Sequence, residues 1–429
     1  MALANPRAYI SSTFRALQHR NYRLYWTGQL VSLVGTWMQS VAQGWLMHRL
    51  TSSPLMLGLL GFMQFLPVLL LSLWAGVIVD SVDKRRLLLI TQTAFLIQAA
   101  LLATAVSTGI VQPWMILALA FVFGTINAVD LPARQSFVVE LAGKEDLSNA
   151  IALNSAAFNT ARIVGPAIAG ILLATVGEAG CFWLNAVSYI AVIWSIWRMD
   201  VPRGSRIPFV ARRAVDTMLE GVRYARSVRP LRNLLTLLGF TAGLGFQYMI
   251  LLPVYAREIL HAGPKGYGLL VSAFGLGSLV SAVIMTRRLD RWALRRNLFI
   301  GLLTAAIGMG SFAWSRTLGL SLAMGFLAGF GLILYVATTN TLIQLTTEDR
   351  YRGRVMSLYT LMFVGTAPIG ALLSGIIAHH FGAPVATSVS ALVLLGGALW
   401  MVRRLRVIAE READTPTMPA APAAPEKVG

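Results

Sequence analysis

The chain has 429 residues, of which 56% are apolar and only 13% charged, and its mean hydropathy is +0.67. That composition excludes a soluble globular domain and puts the chain in lipid. A formal charge of +18 and a pI near 10.9 would suggest a nucleic-acid partner in a soluble protein, but here the bases sit in short loops between apolar runs, so none is expected. Cys181 is the only cysteine, which rules out an intrachain disulfide and a multi-thiolate metal site.

A bilayer core of about 30 Å requires roughly 20 helical residues. Segments 24–47, 55–79, 87–106, 112–130, 151–176, 180–197, 233–255, 267–285, 298–314, 318–343, 355–378 and 384–402 meet or approach that length, which predicts twelve spans. The first is longer than a signal-peptide core and follows Arg7, Arg15, Arg20 and Arg23, so it reads as a retained span. It carries Gln29, Ser32, Thr36, Gln39, Ser40 and Gln43 at steps of mostly three or four, which makes one helix face polar. Arg162 lies near the middle of the fifth span, where an unpaired guanidinium costs roughly 2.5 to 3.5 kcal/mol. Two readings fit it: a cavity base that attracts an anionic solute or serves coupling, or a structural hydrogen bond to helix carbonyls or Asn159. Transport by an Arg162→Gln variant expressed at normal level separates them. The seventh span holds Thr241, Gln247 and Tyr248, and the tenth Tyr335, Thr338, Thr339 and Asn340. These are further polar sets that suit either a cavity lining or interhelical hydrogen bonds.

Charge orients the chain. Arg49, Arg257, Lys265 and Arg316 lie on one side and Arg162 within a span, and all other Lys and Arg, out of 36, fall in the alternate loops or the termini. That asymmetry marks the cytoplasmic face and places both termini there, in a multi-pass plasma (inner) membrane protein. The longest loop separates two sets of six spans. The expected units are a cytoplasmic segment 1–23, a six-helix bundle 24–197, a basic cytoplasmic linker 198–232, a second six-helix bundle 233–402 and a disordered tail 403–429. Within the linker, Ala214 to Ser227 reads as an amphipathic helix on the anionic leaflet or as a plain linker with topogenic charge. The halves echo each other. Glu145-Asp146 precedes Pro166 as Glu348-Asp349 precedes Pro368, and basic loops follow the second and eighth spans. Such repeats place a solute site near the midplane between halves that rock.

The loop after the second span runs from Gly76 through Asp80, Ser81, Val82 and Asp83 to Lys84-Arg85-Arg86. It resembles the signature G-x-x-x-D-[RK]-x-G-[RK]-[RK] of the major facilitator superfamily, with Ser81 for the usual base and Asp83 for the usual glycine. Asp130-Leu-Pro132-Ala-Arg134-Gln135, Glu145-Asp146-Leu147, Arg162 to Gly165-Pro166 with Gly170, and Arg352-Gly353-Arg354 stand in an order that is similar to the superfamily's enterobactin-exporter-like efflux branch. Gly165-Pro166 resembles the exporters' glycine-proline motif, although Ala156, Ala157 and Ala161 stand where further glycines are usual.

The resemblance implies an all-α membrane protein of two pseudo-symmetric six-helix bundles. It also implies alternating access, export of a small amphipathic organic solute, siderophore-like or drug-like, and proton antiport by a monomer without cofactor. The expected cavity residues are Gln29, Ser32, Thr36, Gln39, Gln43, Asn159, Arg162, Gln247, Tyr335 and Asn340. The expected gating or coupling residues are Gly76, Asp80, Lys84, Arg85, Asp130, Arg134, Gly165 and Pro166. Asp130 is the acid nearest the interior, and it reads equally as a partner of Lys84, Arg85 or Arg134. A metabolite uptake permease and a non-transporting sensor or assembly factor are the rival readings. No zinc-peptidase, nucleophile-elbow or nucleotide-binding motif is present, and the paired His379-His380 reads as an interfacial helix end, so neither catalysis nor a metal is expected.

Overall fold

The computed structural model describes residues 14–200, 211–285 and 290–413, without the side chains of positions that include Asp80, 211–218 and 404–413. Residues 414–429, part of the expected disordered tail, lie outside it, and among the described residues there is no strand. The helices are α1 Arg20–Thr51, α2 Pro54–Ser81 and α3 Lys84–Ser107, then α4 Pro113–Gly143 and α5 Glu145–Thr175. They continue with α6 Gly177–Trp197, the linker helix α7 Ala211–Ser227, α8 Arg229–Ile259, α9 Gly263–Ile284, α10 Arg291–Trp314 and α11 Leu318–Thr346. Two more follow, α12 Asp349–Phe381 and α13 Ala383–Ala413.

Among the described residues, eleven helices are long and apolar enough to cross a membrane. The twelfth span is α1, 32 residues long, which falls short in apolarity because its polar face is turned into the protein: Gln29, Ser32, Gln39 and Gln43 are all buried. The last helix runs past the expected end at 402, since Arg, Leu, Ala and Glu at 403–413 are strong helix formers.

Helix ends follow local chemistry. Asp83, the departure from the signature, is the N-cap of α3, where its side chain accepts a 2.8 Å hydrogen bond from the Arg86 N–H. Asp290 caps α10 in the same way, accepting from the Ala293 N–H at 2.7 Å, so the echo between the two basic loops extends to their caps. The α4–α5 junction turns at Gly143, with φ 70° and ψ 173°, a conformation open essentially to glycine alone.

The segment leading into each half docks on the start of that half's fifth span. In the first half, Arg15 and His19 each reach Asp146 at 2.8 Å, and the Ala16 N–H donates to Asn149 Oδ1 at 2.9 Å. In the second, Glu220 of α7 pairs with Arg354, and Tyr224 stacks on Tyr351 with ring centroids 4.1 Å apart. The linker helix is thus held against its own bundle.

Each half packs internally, α1 against α5 and α6 and α2 against α4, as α9 and α10 pack against α11. Between the halves the principal contacts are α2 with α12 and α5 with α9, the second and fifth spans of each half exchanged by the pseudo-symmetry. Both crossings depend on missing side chains. A β-carbon on Gly58 would lie 2.7 Å from Gly375 Cα, and one on Gly170 3.0 Å from Gly268 Cα. Gly58 and Gly170 lie near the end of the bundle opposite the basic loops, so the halves touch at that end.

Glycine crossings within the second half are tighter still. A β-carbon on Gly277 of α9 would collide with the Phe326 carbonyl of α11, whereas one on Gly76 meets nothing within 4 Å. Gly277→Ala is expected to lower stability by about 1–3 kcal/mol and Gly76→Ala to leave it unchanged, as read from thermal unfolding in detergent.

Candidate functional site

A cavity of about 600 Å³ lies between the halves. On the first half its wall comes from α1, α2, α4 and α5. On the second it comes from Met249, Ile250 and Pro253 of α8 and Tyr267 and Val271 of α9. Tyr267 stacks on Trp45 of α1 with centroids 6.0 Å apart, an aromatic contact across the halves at the glycine-packed end. Beside it, His48 Nε2 of α1 lies 2.9 Å from Glu258 Oε1 of α8, and Arg257 donates to the His48 carbonyl at 3.3 Å. Toward the basic loops, Arg134, Gln135 and Val138 of α4 continue the wall. The ion pairs that the described residues make at that end stay within one half, as Lys84 with Glu140 and Arg354 with Glu220 do.

Of the expected cavity residues, Gln29, Thr36, Gln39 and Gln43 line this space. Gln39 and Gln43 are tied into the wall. Gln39 donates to Gln98 Oε1 at 3.0 Å and accepts from Asn185 at 2.7 Å, and Gln43 donates to the Ile116 carbonyl. Ser32, Asn159, Arg162, Gln247, Tyr335 and Asn340 are not among the lining residues. Each has another setting. Ser32 is buried and its carbonyl accepts from Thr36, Tyr335 bonds Thr241 at 2.8 Å, and Asn340 accepts from Gln344 at 2.5 Å. Gln247 sits at the break between the two α-helical parts of α8. Arg162 donates to Asn159 Oδ1 at 3.1 Å, and its backbone carbonyl abuts Gly275 of α9. The backbone of the arginine thus lies on the seam between halves, and the residue is absent from the cavity lining. Sequence periodicity overlooked Gln64, Asn127 and Asn154, which also line the cavity. Gln64 and Asn154 are single lining amides on α2 and α5, and on α4 Asn127 is followed only by Gln135 about two turns on, too sparse a pattern to read as a stripe.

The expected gating residues divide in the same way. Asp130, fully buried, accepts from Thr91 at 2.6 Å and Gln92 at 2.8 Å, and pairs with Arg134 one turn on at 2.5 Å. Lys84 turns instead to Glu140, and Arg85 donates to the Ile196 and Trp197 carbonyls at 3.1 and 2.8 Å, capping the end of α6. Gly165 lets α1 approach, since a β-carbon there would lie 2.7 Å from Trp37 Cβ, and the Pro166 carbonyl faces Gly268 across the seam. The side chain of Asp80 lies outside the described residues.

A family model described as a transmembrane secretion effector matches residues 11–426, nearly the whole chain. The chain belongs to that family, within the major facilitator superfamily. Among curated members, the Staphyloferrin A transporter of Staphylococcus aureus is 25% identical, covering 84% of this chain and 90% of that protein. The multidrug efflux pump Tap of Mycolicibacterium fortuitum is 25% identical, covering 82% and 88%. In fold, the transporter resembles a bacterial homologue of human Spinster solved in an inward-facing and occupied conformation. The TM-score is 0.70, with 14% identity, 91% of this chain and 98% of that one covered. At that identity the likeness shows the major facilitator fold alone.

Arg134 is inserted in the wall beside a carboxylate with no solvent contact, so removing one partner strands the other. Asp130→Ala is expected to cost about 3–5 kcal/mol in thermal unfolding. The double variant Asp130→Leu, Arg134→Met should recover much of that loss, and a cycle of single and double variants measures the coupling.

Proposed function

We propose that this transporter exports a small amphipathic organic solute across the plasma membrane by alternating access of its two halves, in exchange for protons. The observation that carries this reading is the shape of the cavity: closed by glycine crossings and the Trp45–Tyr267 stack at one end, and extending toward the basic loops at the other. With those loops in the cytoplasm, this is the state that would load solute from inside. The two curated relatives, one a transporter named for Staphyloferrin A and one a multidrug efflux pump, favour organic solutes over inorganic ions.

Opening the other end requires separating α2 from α12 and α5 from α9, which breaks the 2.9 Å contact of His48 Nε2 with Glu258 Oε1 that joins the halves. The contact joins a carboxylate to an imidazole across the gap, which makes it the place where protons would bear on the change. Arg257, beside it, donates to the His48 carbonyl and adds a second tie across the same gap.

Two experiments test the reading. Spin labels at Ser81 and Ser357, at the basic ends of α2 and α12, should approach in the same population in which labels at Ser53 and Phe381 separate. Glu258→Gln should enlarge that population. Fixed distances at both ends would refute alternating access. In everted membrane vesicles energised by a proton gradient, a panel of fluorescent amphipaths that includes fluorescein and rhodamine 123 should show chain-dependent accumulation abolished by nigericin. Accumulation only in right-side-out vesicles would establish an uptake permease instead.

A further inference from the structure

The amides of the cavity wall all come from one half. The first half presents Gln29, Gln64, Asn127 and Gln135 among apolar side chains such as Leu33, Phe65 and Phe158, and the second presents Met249, Ile250, Pro253 and Val271 with the Tyr267 ring. Among the described residues lining it there is no carboxylate, and the only formal charge is Arg134. Asp130, which balances that charge, is fully buried and not part of the lining, so the pair is a fixed dipole whose positive end is at the cavity.

Charge in a partly dehydrated space needs a counter-charge or hydrogen bonds. A lipophilic cation entering here finds no carboxylate and meets Arg134 with its own sign. An anion meets Arg134 and amide N–H donors. A neutral solute with carbonyl, hydroxyl or amide groups can bond the amide wall and lay its apolar side on α8 and α9. Arg134 Nε has no hydrogen-bond partner. Gln29, 6% exposed, likewise has neither its amide nitrogen nor its oxygen paired. Buried groups of this kind are costly until satisfied, and a rotamer change at Gln29 would turn both atoms to a seated ligand.

We infer that the cavity selects anionic or neutral amphipaths rich in hydrogen-bonding groups and discriminates against lipophilic cations. The inference rests on the cavity's being the solute site proposed above, and it narrows the solute class that the relatives leave broad.

The test uses two xanthene dyes of similar size and opposite charge, fluorescein and rhodamine 123, with the full chain purified in detergent and binding read by fluorescence polarisation. Wild type should bind fluorescein about tenfold or more tighter than rhodamine 123. Gln64→Glu, which puts a carboxylate in the wall, should shift that ratio about tenfold toward the cation. Gln135→Glu, at an exposed position of the same wall, should do the same where Gln64→Glu lowers the melting temperature. Equal or tighter binding of rhodamine 123 by wild type, binding of neither dye, or an unmoved ratio in both folded variants would overturn the inference. Flux of the same dyes in everted vesicles keeps the two readings apart. Charge-selective binding without flux would overturn the transport reading alone, and chain-dependent flux of rhodamine 123 in preference to fluorescein would overturn only the selectivity.

Discussion

In the hydrocarbon of a bilayer no water is available to satisfy a polar group, so each amide, hydroxyl or charge carried into a span must find a partner inside the protein or face a water-filled space. Most of this transporter follows from that constraint. Backbone groups are satisfied within helices, and the polar face of α1 turns inward and divides its side chains. Gln39 and Gln43 bond neighbouring helices, whereas Gln29 remains beside the cavity with its amide unpaired. Asp130 enters the protein only because Thr91, Gln92 and Arg134 surround it.

Without a hydrophobic drive between helices in lipid, close approach and van der Waals packing hold the bundle together, and glycine permits that approach. Glycines mark both classes of contact. Gly277 and Gly329 join α9 to α11 inside one half, and Gly58, Gly375, Gly170 and Gly268 join the halves at one end. The second class sits where the two halves meet. Its neighbours there are the His48–Glu258 contact and the Trp45–Tyr267 stack.

The pseudo-symmetry extends beyond the helix count. An aspartate caps the helix after each signature-position loop, and a preceding segment docks on the start of each fifth span through a charged or aromatic contact. Asp83 shows how a residue that departs from a family pattern is explained by local physics: a helix begins there and needs a cap. The chemistry of the wall breaks the symmetry, since its amides all come from the first half.

The sequence by itself determined the helical membrane fold and the superfamily, because hydropathy and short motifs are local properties read along the chain. It also marked one polar face on α1, since a stripe at steps of three and four must share one face, and the superfamily resemblance assigned that face to a cavity. It did not determine which way Arg162 turns, that Asp130 takes Arg134 rather than Lys84, or that Gln64, Asn127 and Asn154 join the wall. Those depend on how each helix is rotated about its own axis and on which neighbour its glycines admit. Both are settled by contacts between residues more than a hundred positions apart, such as Gly165 with Trp37 and Gly58 with Gly375. The tertiary structure alone decided them because a lone polar residue on a helix carries no periodicity from which its facing can be read.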